Sequence, residues 1–228
     1  MNRSLVGWIV AFILAIGGAA FAWVWFAGGS GEPSTELMTP TIVSAGGSQS
    51  FVITAGGPSI ASFEIDEELR GSPQTVVGTT SEVAGQVQVD VNDLSTAQFS
   101  DIVINARTFM TDSERRDRAI RGPVILNSAS DEFEFVTFAP SSIEGLEGSL
   151  DPGDTVGFAV TGDLTIKDTT NQASFEVSAT LVDGDTIEGV ASARVLRADF
   201  GIGIPSVPGV ANVSDKVILT LDFVAVSG

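Results

Sequence analysis

Period-two alternation of apolar and polar residues runs through several segments of this chain, and it restricts the fold more than any other feature. In GQVQVDV, Val87, Val89 and Val91 share one face. TVGFAVTGDLTI repeats the pattern with Val156, Phe158, Val160, Leu164 and Ile166, and ASFEVSATL with Ala173, Phe175, Val177, Ala179 and Leu181. KVILTLDFVA closes the series with Val217, Leu219, Leu221 and Phe223. Such alternation means strands with one buried face and one wet face. Further strands are expected at Ser59–Glu67, Ser100–Met110, Phe133–Phe138 and Asp185–Arg197, and VDGDT at Val182–Thr186 carries hairpin-turn chemistry. At least eight antiparallel strands with one convincing soluble helix must dispose of their edges by closing into a barrel or by pairing two sheets. The expected class is therefore mainly β, a closed antiparallel eight-stranded barrel. An eight-stranded barrel is just wide enough to be filled by its own side chains or to hold one small ligand. Gly162, Ala173, Ala179, Gly189, Ala191 and Ala193 are small and inward by parity. They either leave space or sit opposite large packing partners.

Composition narrows the chemistry. The chain has no histidine, cysteine or tyrosine. The commonest general base, the thiolate nucleophile and the commonest metal ligands are thus missing, and neither a catalytic centre nor a metal site is expected. Asp151, Asp154, Asp183 and Asp185 lie at expected turns, without the spacing of a calcium loop. A net charge of −18 argues against nucleic acid, whose phosphates require a basic surface.

Ahead of the barrel, Leu5 to Ala27 contains no charge. A helix of that length rises roughly 34 Å, enough to span a bilayer core of about 30 Å. Arg3 precedes it and Glu32 and Glu36 follow, so the positive-inside rule puts the domain outside the cytoplasm, periplasmic or extracellular. The rival is a signal peptide cut after the A-x-A triplet Ala20–Ala22. The retained single-pass anchor is preferred, because cleavage would leave WVWFAGG as the new terminus. The expected organisation is an anchor over 1–28, a flexible Gly/Ser/Pro/Thr-rich linker over 29–47 and the barrel over 48–228.

One stretch is out of character. Arg115, Arg116, Arg118 and Arg121 are four of only eleven basic residues, and they fall on the expected helix, which begins near Ser113. Either the helix is a solvated cap on one barrel end, anchored by Ile120, or it is a lid whose Arg115 and Arg118 hold an anionic head group.

Three motifs in order, RDRAIRG, GDLTIKDTT and RADFGIG, resemble those of the YceI-like family over roughly Ser59 to Val226. Asp168 stands where that family usually has glycine. The resemblance implies an exported, lipocalin-like barrel that binds a long isoprenoid or similar amphiphile, such as a polyprenyl quinone or phosphate, with no cofactor and no catalysis. It makes Val87, Val89, Ile102, Ile104, Phe133, Phe135, Phe158, Val160, Phe175, Val177 and Phe200 the candidate lumen contacts, with Arg115 and Arg118 at the head group. Many members are free secreted proteins, whereas this chain is expected to be tethered. The alternative is a structural or interaction module whose barrel is packed solid. RADFG is expected to set a structural Arg197–Asp199 pair at a barrel corner, with Gly201 free to take positive φ.

Overall fold

A computed structural model of the chain describes residues 27–42 and 47–228. Twelve strands form one sheet that closes on itself. The first three rows of the meander are each interrupted once. They are β1 (Gln49–Ile53) continued by β2 (Ile60–Leu69), β3 (Ser72–Thr80) by β4 (Val83–Asp90), and β5 (Asp93–Phe99) by β6 (Ile102–Asn105). Four unbroken rows follow: β7 (Phe135–Glu144), β8 (Thr155–Ile166), β9 (Thr169–Asp183) and β10 (Thr186–Leu196). After β11 (Val210–Ala211), β12 (Lys216–Ser227) is the eighth row, antiparallel to β10 on one side and to β2 and β1 on the other. Every neighbour in the ring is thus next in sequence or joined by this closure, and the eight-stranded antiparallel barrel expected from the alternation is what forms. β12 closes the ring, and the pairing is thinnest between the third row and β7, where only β6 meets β7, over Phe135–Phe138.

One α-helix lies among the described residues, α1 (Glu114–Arg121), between β6 and β7. No helix among them is long and apolar enough to cross a membrane. The expected anchor, Leu5–Ala27, lies up to residue 26 outside the described residues.

The small inward residues divide in two. A Cβ on Gly189 would stand 2.5 Å from the Phe223 ring and 2.4 Å from the Ser178 carbonyl oxygen. One on Gly162 would meet Phe138 at 2.9 Å, and one on Gly78 would meet Phe63 at 2.2 Å. Gly189–Phe223 and Gly78–Phe63 are direct cross-strand pairs, so each ring folds across its glycine. These glycines are packing partners, whereas Ala179 and Ala191 border open space. Gly189→Val is therefore expected to overpack the wall at a cost of about 1–3 kcal/mol. Thermal unfolding should fall by roughly 2–4 °C per kcal/mol in a domain of this size. An unchanged melting temperature would show that the ring moves aside freely.

Residues 28–42, which the linear reading assigns largely to a linker, are hydrogen-bonded to the barrel at three places. Arg121 Nε donates to the Gly28 carbonyl at 2.9 Å. Ser34 N donates to Glu134 Oε1 at 2.9 Å. Ile42 N donates to Gln86 Oε1 at 2.6 Å, and its carbonyl accepts from Gln88 Nε2 at 3.0 Å. Gln86 and Gln88 point outward from β4, opposite in parity to Val87 and Val89, yet both are buried. The strap covers them, so polar side chains on the wet face of a strand become a hydrogen-bonded seam.

Candidate binding cavity

The inward faces enclose a cavity of about 1010 Å³ whose walls are almost entirely aliphatic and phenylalanine side chains. Its far end is floored by Leu94, Leu146 and Leu150, with Leu150 N held on the Val91 carbonyl at 2.8 Å. Its other end is a mouth bordered by the β2–β3 turn at Arg70, by α1, and by the loop from Ile202 to Val213. Charged lining residues occur only there among the described residues: Glu67, Arg70, Asp112, Arg115, Arg116 and Arg197. The lumen is thus an apolar tube with a polar collar at one end, the shape that suits a ligand with a long tail and a polar head.

Of the candidates from sequence, Val87, Val89, Ile102, Ile104, Phe158, Val160, Phe175, Val177 and Phe200 line the cavity, and so does Arg115. Phe133, Phe135 and Arg118 do not. In FEFVTF both parities are apolar, so alternation alone cannot choose a face. Phe133 ends a short 3-10 turn, β7 begins at Phe135, and Val136, Phe138 and Pro140 face inward instead. The mouth residues Arg70, Ile204 and Val207 carry no periodic signal and linear reading does not find them, while Arg116 and Arg197 stand out in the sequence without any sign that they border a mouth.

The four helix arginines have four different surroundings. Arg115 borders the mouth. Arg116 is bonded to Asp112 and lies 3.3 Å from Glu67 on β2, which fastens the helix to the barrel wall. Arg118 stands 3.8 Å from Glu114, and Glu114 is so exposed that this ion pair contributes little, about 0–0.5 kcal/mol. Arg121 is buried against the strap. Burial lowers its pKa, Asp117 pulls it up and Arg118 pushes it down, for a net lowering. Asp117 Oδ1 ties the helix to the segment before it, accepting from Thr111 N at 2.8 Å and from its hydroxyl at 2.6 Å, while the N-cap residue Ser113 makes no side-chain cap bond. Ile120 turns into the lumen. The helix is therefore neither a wholly solvated cap nor a uniform cationic face: one side closes on the cavity and the other receives the strap.

Behind it lies a buried polar cluster. Glu134 is fully buried and accepts from Ser34 N, the Ser34 hydroxyl and, at 2.7 Å, Asn105 Nδ2. Arg107, also buried, lies 3.4 Å from Glu134 and 2.7 Å from Asp131, and its Nε donates to the Ser128 carbonyl at 2.7 Å. Burial pushes the Glu134 carboxyl up. The hydrogen bonds from Ser34 and Asn105 and the Arg107 charge outweigh it and hold the carboxyl below the ordinary carboxylate range.

At the RADFG corner Gly201 has φ 63° and Phe200 is buried, as expected. Arg197, however, faces Asp215 at 3.8 Å rather than Asp199. Its guanidinium also donates to the carbonyls of Ser214 at 3.1 Å and Ile202 at 2.9 Å, which pins both ends of the mouth loop. Asp199 is too near in sequence, on the same 3-10 turn, to span that loop. In the β8–β9 hairpin the positive φ falls on Lys167, at 58°, and not on Asp168.

Comparison with known proteins agrees with this geometry. The UPF0312 protein SAS2572 of Staphylococcus aureus (strain MSSA476) is 29% identical over 133 residues, 56% of this chain and 69% of that protein. BcnA of Burkholderia cenocepacia is similar in structure, with a TM-score of 0.54 at 21% identity, covering 73% of this chain and 95% of that one. A polyisoprenoid binding domain from Saccharophagus degradans gives 0.55 at 10% identity, over 79% of this chain and 99% of that one. At these identities the two structures attest the fold alone. The model of the YceI-like domain matches residues 52–225, nearly the whole barrel, and the chain belongs to that family.

Proposed function

We propose that this protein is a binding protein for an amphiphile with a long apolar tail, an isoprenoid or similar lipid, held tail-inward in the barrel and tethered outside the cytoplasm by Leu5–Ala27. The observation that carries the reading is the cavity of about 1010 Å³, apolar along its length and charged only at the collar. Burial of one five-carbon isoprene unit contributes up to about 4 kcal/mol. A tube of this kind retains its ligand without any catalytic group. The alternative of a solidly packed structural module is disfavoured by that same volume. The Saccharophagus degradans neighbour, described as a polyisoprenoid binding domain, supports the isoprenoid class.

Native mass spectrometry of detergent-free protein tests the reading. A bound amphiphile should ride with the folded chain and be recovered by solvent extraction. Protein that stays empty when offered polyprenyl phosphate and polyprenyl quinone would defeat it. The collar favours an anionic head, with Arg115 beside it. Arg115→Gln should weaken retention of a polyprenyl phosphate by about tenfold or more, since a charged hydrogen bond contributes roughly 1.5–3 kcal/mol. A quinone should be little affected. Equal loss of both would indicate a disturbed α1 instead.

A further inference from the structure

The barrel is polarised along its axis. Eleven lysines and arginines occur in the chain, and all but Arg3 lie among the described residues. Every one of those falls in the mouth half, on α1 and its flanks, the β2–β3 and β8–β9 turns, or the ends of β10 and β12 that meet there. The far-end turns, residues 90–93, 144–154 and 183–186, carry eight carboxylates and no lysine or arginine. Two rim carboxylates, Glu67 and Asp112, are already engaged by Arg116. The mouth-half elements carry at least as many carboxylates as cations, among them Asp112, Glu114, Asp117, Asp168, Asp199 and Asp215, so that end is near charge balance while the far turns are acidic alone. Beside an anionic surface such a body is turned mouth-first.

The strap imposes the same orientation mechanically. Gly28 follows the uncharged Leu5–Ala27 with no residue between. It is buried against α1, its carbonyl held by Arg121, and a Cβ there would sit 2.1 Å from the Arg118 carbonyl oxygen. A free tether over Gly28–Gly47 would let the barrel stand off by about 25 Å. With Gly28 docked, the slack between the apolar run and α1 is about one extended residue, ~3.5 Å. The rim also presents apolar side chains to solvent: Val207, beside Ile204 and Pro208, is 41% exposed, and Val124, next to Gly203, is 38% exposed.

We propose that this rim, made of the β2–β3 turn, α1 and the Ile202–Val213 loop, is a docking surface for a lipid bilayer. The strap holds it there, so that the cavity opens directly into the head-group layer. The amphiphile then passes between bilayer and barrel without crossing water. This rests on the reading of Leu5–Ala27 as a membrane anchor.

The chain has no cysteine, so single cysteines can report depth. Val207→Cys at the rim and Gly184→Cys at the far end would each carry a fluorophore, in the full chain reconstituted into phosphatidylglycerol-containing vesicles. Lipids brominated near the acyl boundary should quench position 207, because an apolar rim enters about 5–10 Å. They should leave position 184 bright. Gly28→Val, and independently Arg121→Gln, should leave the protein vesicle-bound and its melting temperature near that of the parent. Quenching at 207 should then fall toward the level at 184. Equal quenching at both positions, stronger quenching at 184, or quenching at 207 that survives both strap variants overturns the proposal. Protein that does not stay with the vesicles overturns it together with the anchor reading. Lipid content measured by mass spectrometry on the same samples reports on the cavity separately.

Discussion

Ala191→Trp should abolish lipid retention while leaving the barrel as stable as its parent or more so. Ala191 lies midway along β10, flanked by Val177 on β9 and Leu221 on β12, and all three border the cavity. Its cross-strand partners are the aliphatic Val177 and Leu221, whereas its neighbour Gly189 faces Phe223, so an indole placed here points into the cavity. Filling a void recovers contacts that the cavity lining lacks. For a ligand lying along the tube the effect is opposite. Each isoprene unit excluded removes about 4 kcal/mol of burial, roughly a thousandfold in affinity. The measurement is the amount of polyprenyl lipid co-purifying with the variant, set against its thermal unfolding. Undiminished retention with a normal melting temperature would place the ligand outside the lumen.

The contrast between Ala191 and Gly189 shows what linear sequence conveys in this protein. Both are small, inward by parity and two residues apart. Only the cross-strand register puts Phe223 opposite one and Leu221 opposite the other. Parity was enough to place Val87, Val89, Phe158, Val160, Phe175 and Val177 on the lumen wall, because each of those strands alternates cleanly. It failed at Phe133 and Phe135, where apolar residues occupy both parities and the intervening Glu134 is fully buried. Charge clustering drew attention to α1 but could not separate its arginines. Their roles depend on Glu67, forty-nine residues upstream of Arg116, and on Gly28, ninety-three upstream of Arg121. The strap was least legible. It has no period, and its contacts are backbone groups meeting Gln86, Gln88 and Glu134, side chains that on a strand normally face water.

Glu134→Ala is expected to cost the fold about 3–5 kcal/mol, the range for removing one partner of a buried ion pair. Thermal unfolding should drop by roughly 2–4 °C for each of those kcal/mol. The loss is large because the buried Arg107 cation loses its buried partner and keeps only the exposed Asp131 and two carbonyls, while the Ser34 and Asn105 donors lose their acceptor. By comparison the exposed Arg118–Glu114 pair can be removed almost without effect. Since Ser34 is the middle fastening of the strap, amide exchange and proteolysis over residues 30–42 should rise first in the variant. Acid supplies an independent check. The Glu134 carboxyl titrates below the ordinary range in the folded chain and near about 4.3 when unfolded. A depressed carboxyl contributes stability that is fully present above its unfolded pKa and is lost as pH falls through the folded one. The stability difference between parent and variant should therefore stay constant from neutral pH down to about 5 and narrow below about 4. A difference that persists unchanged into stronger acid would mean that the side chain acts through packing and not through its charge.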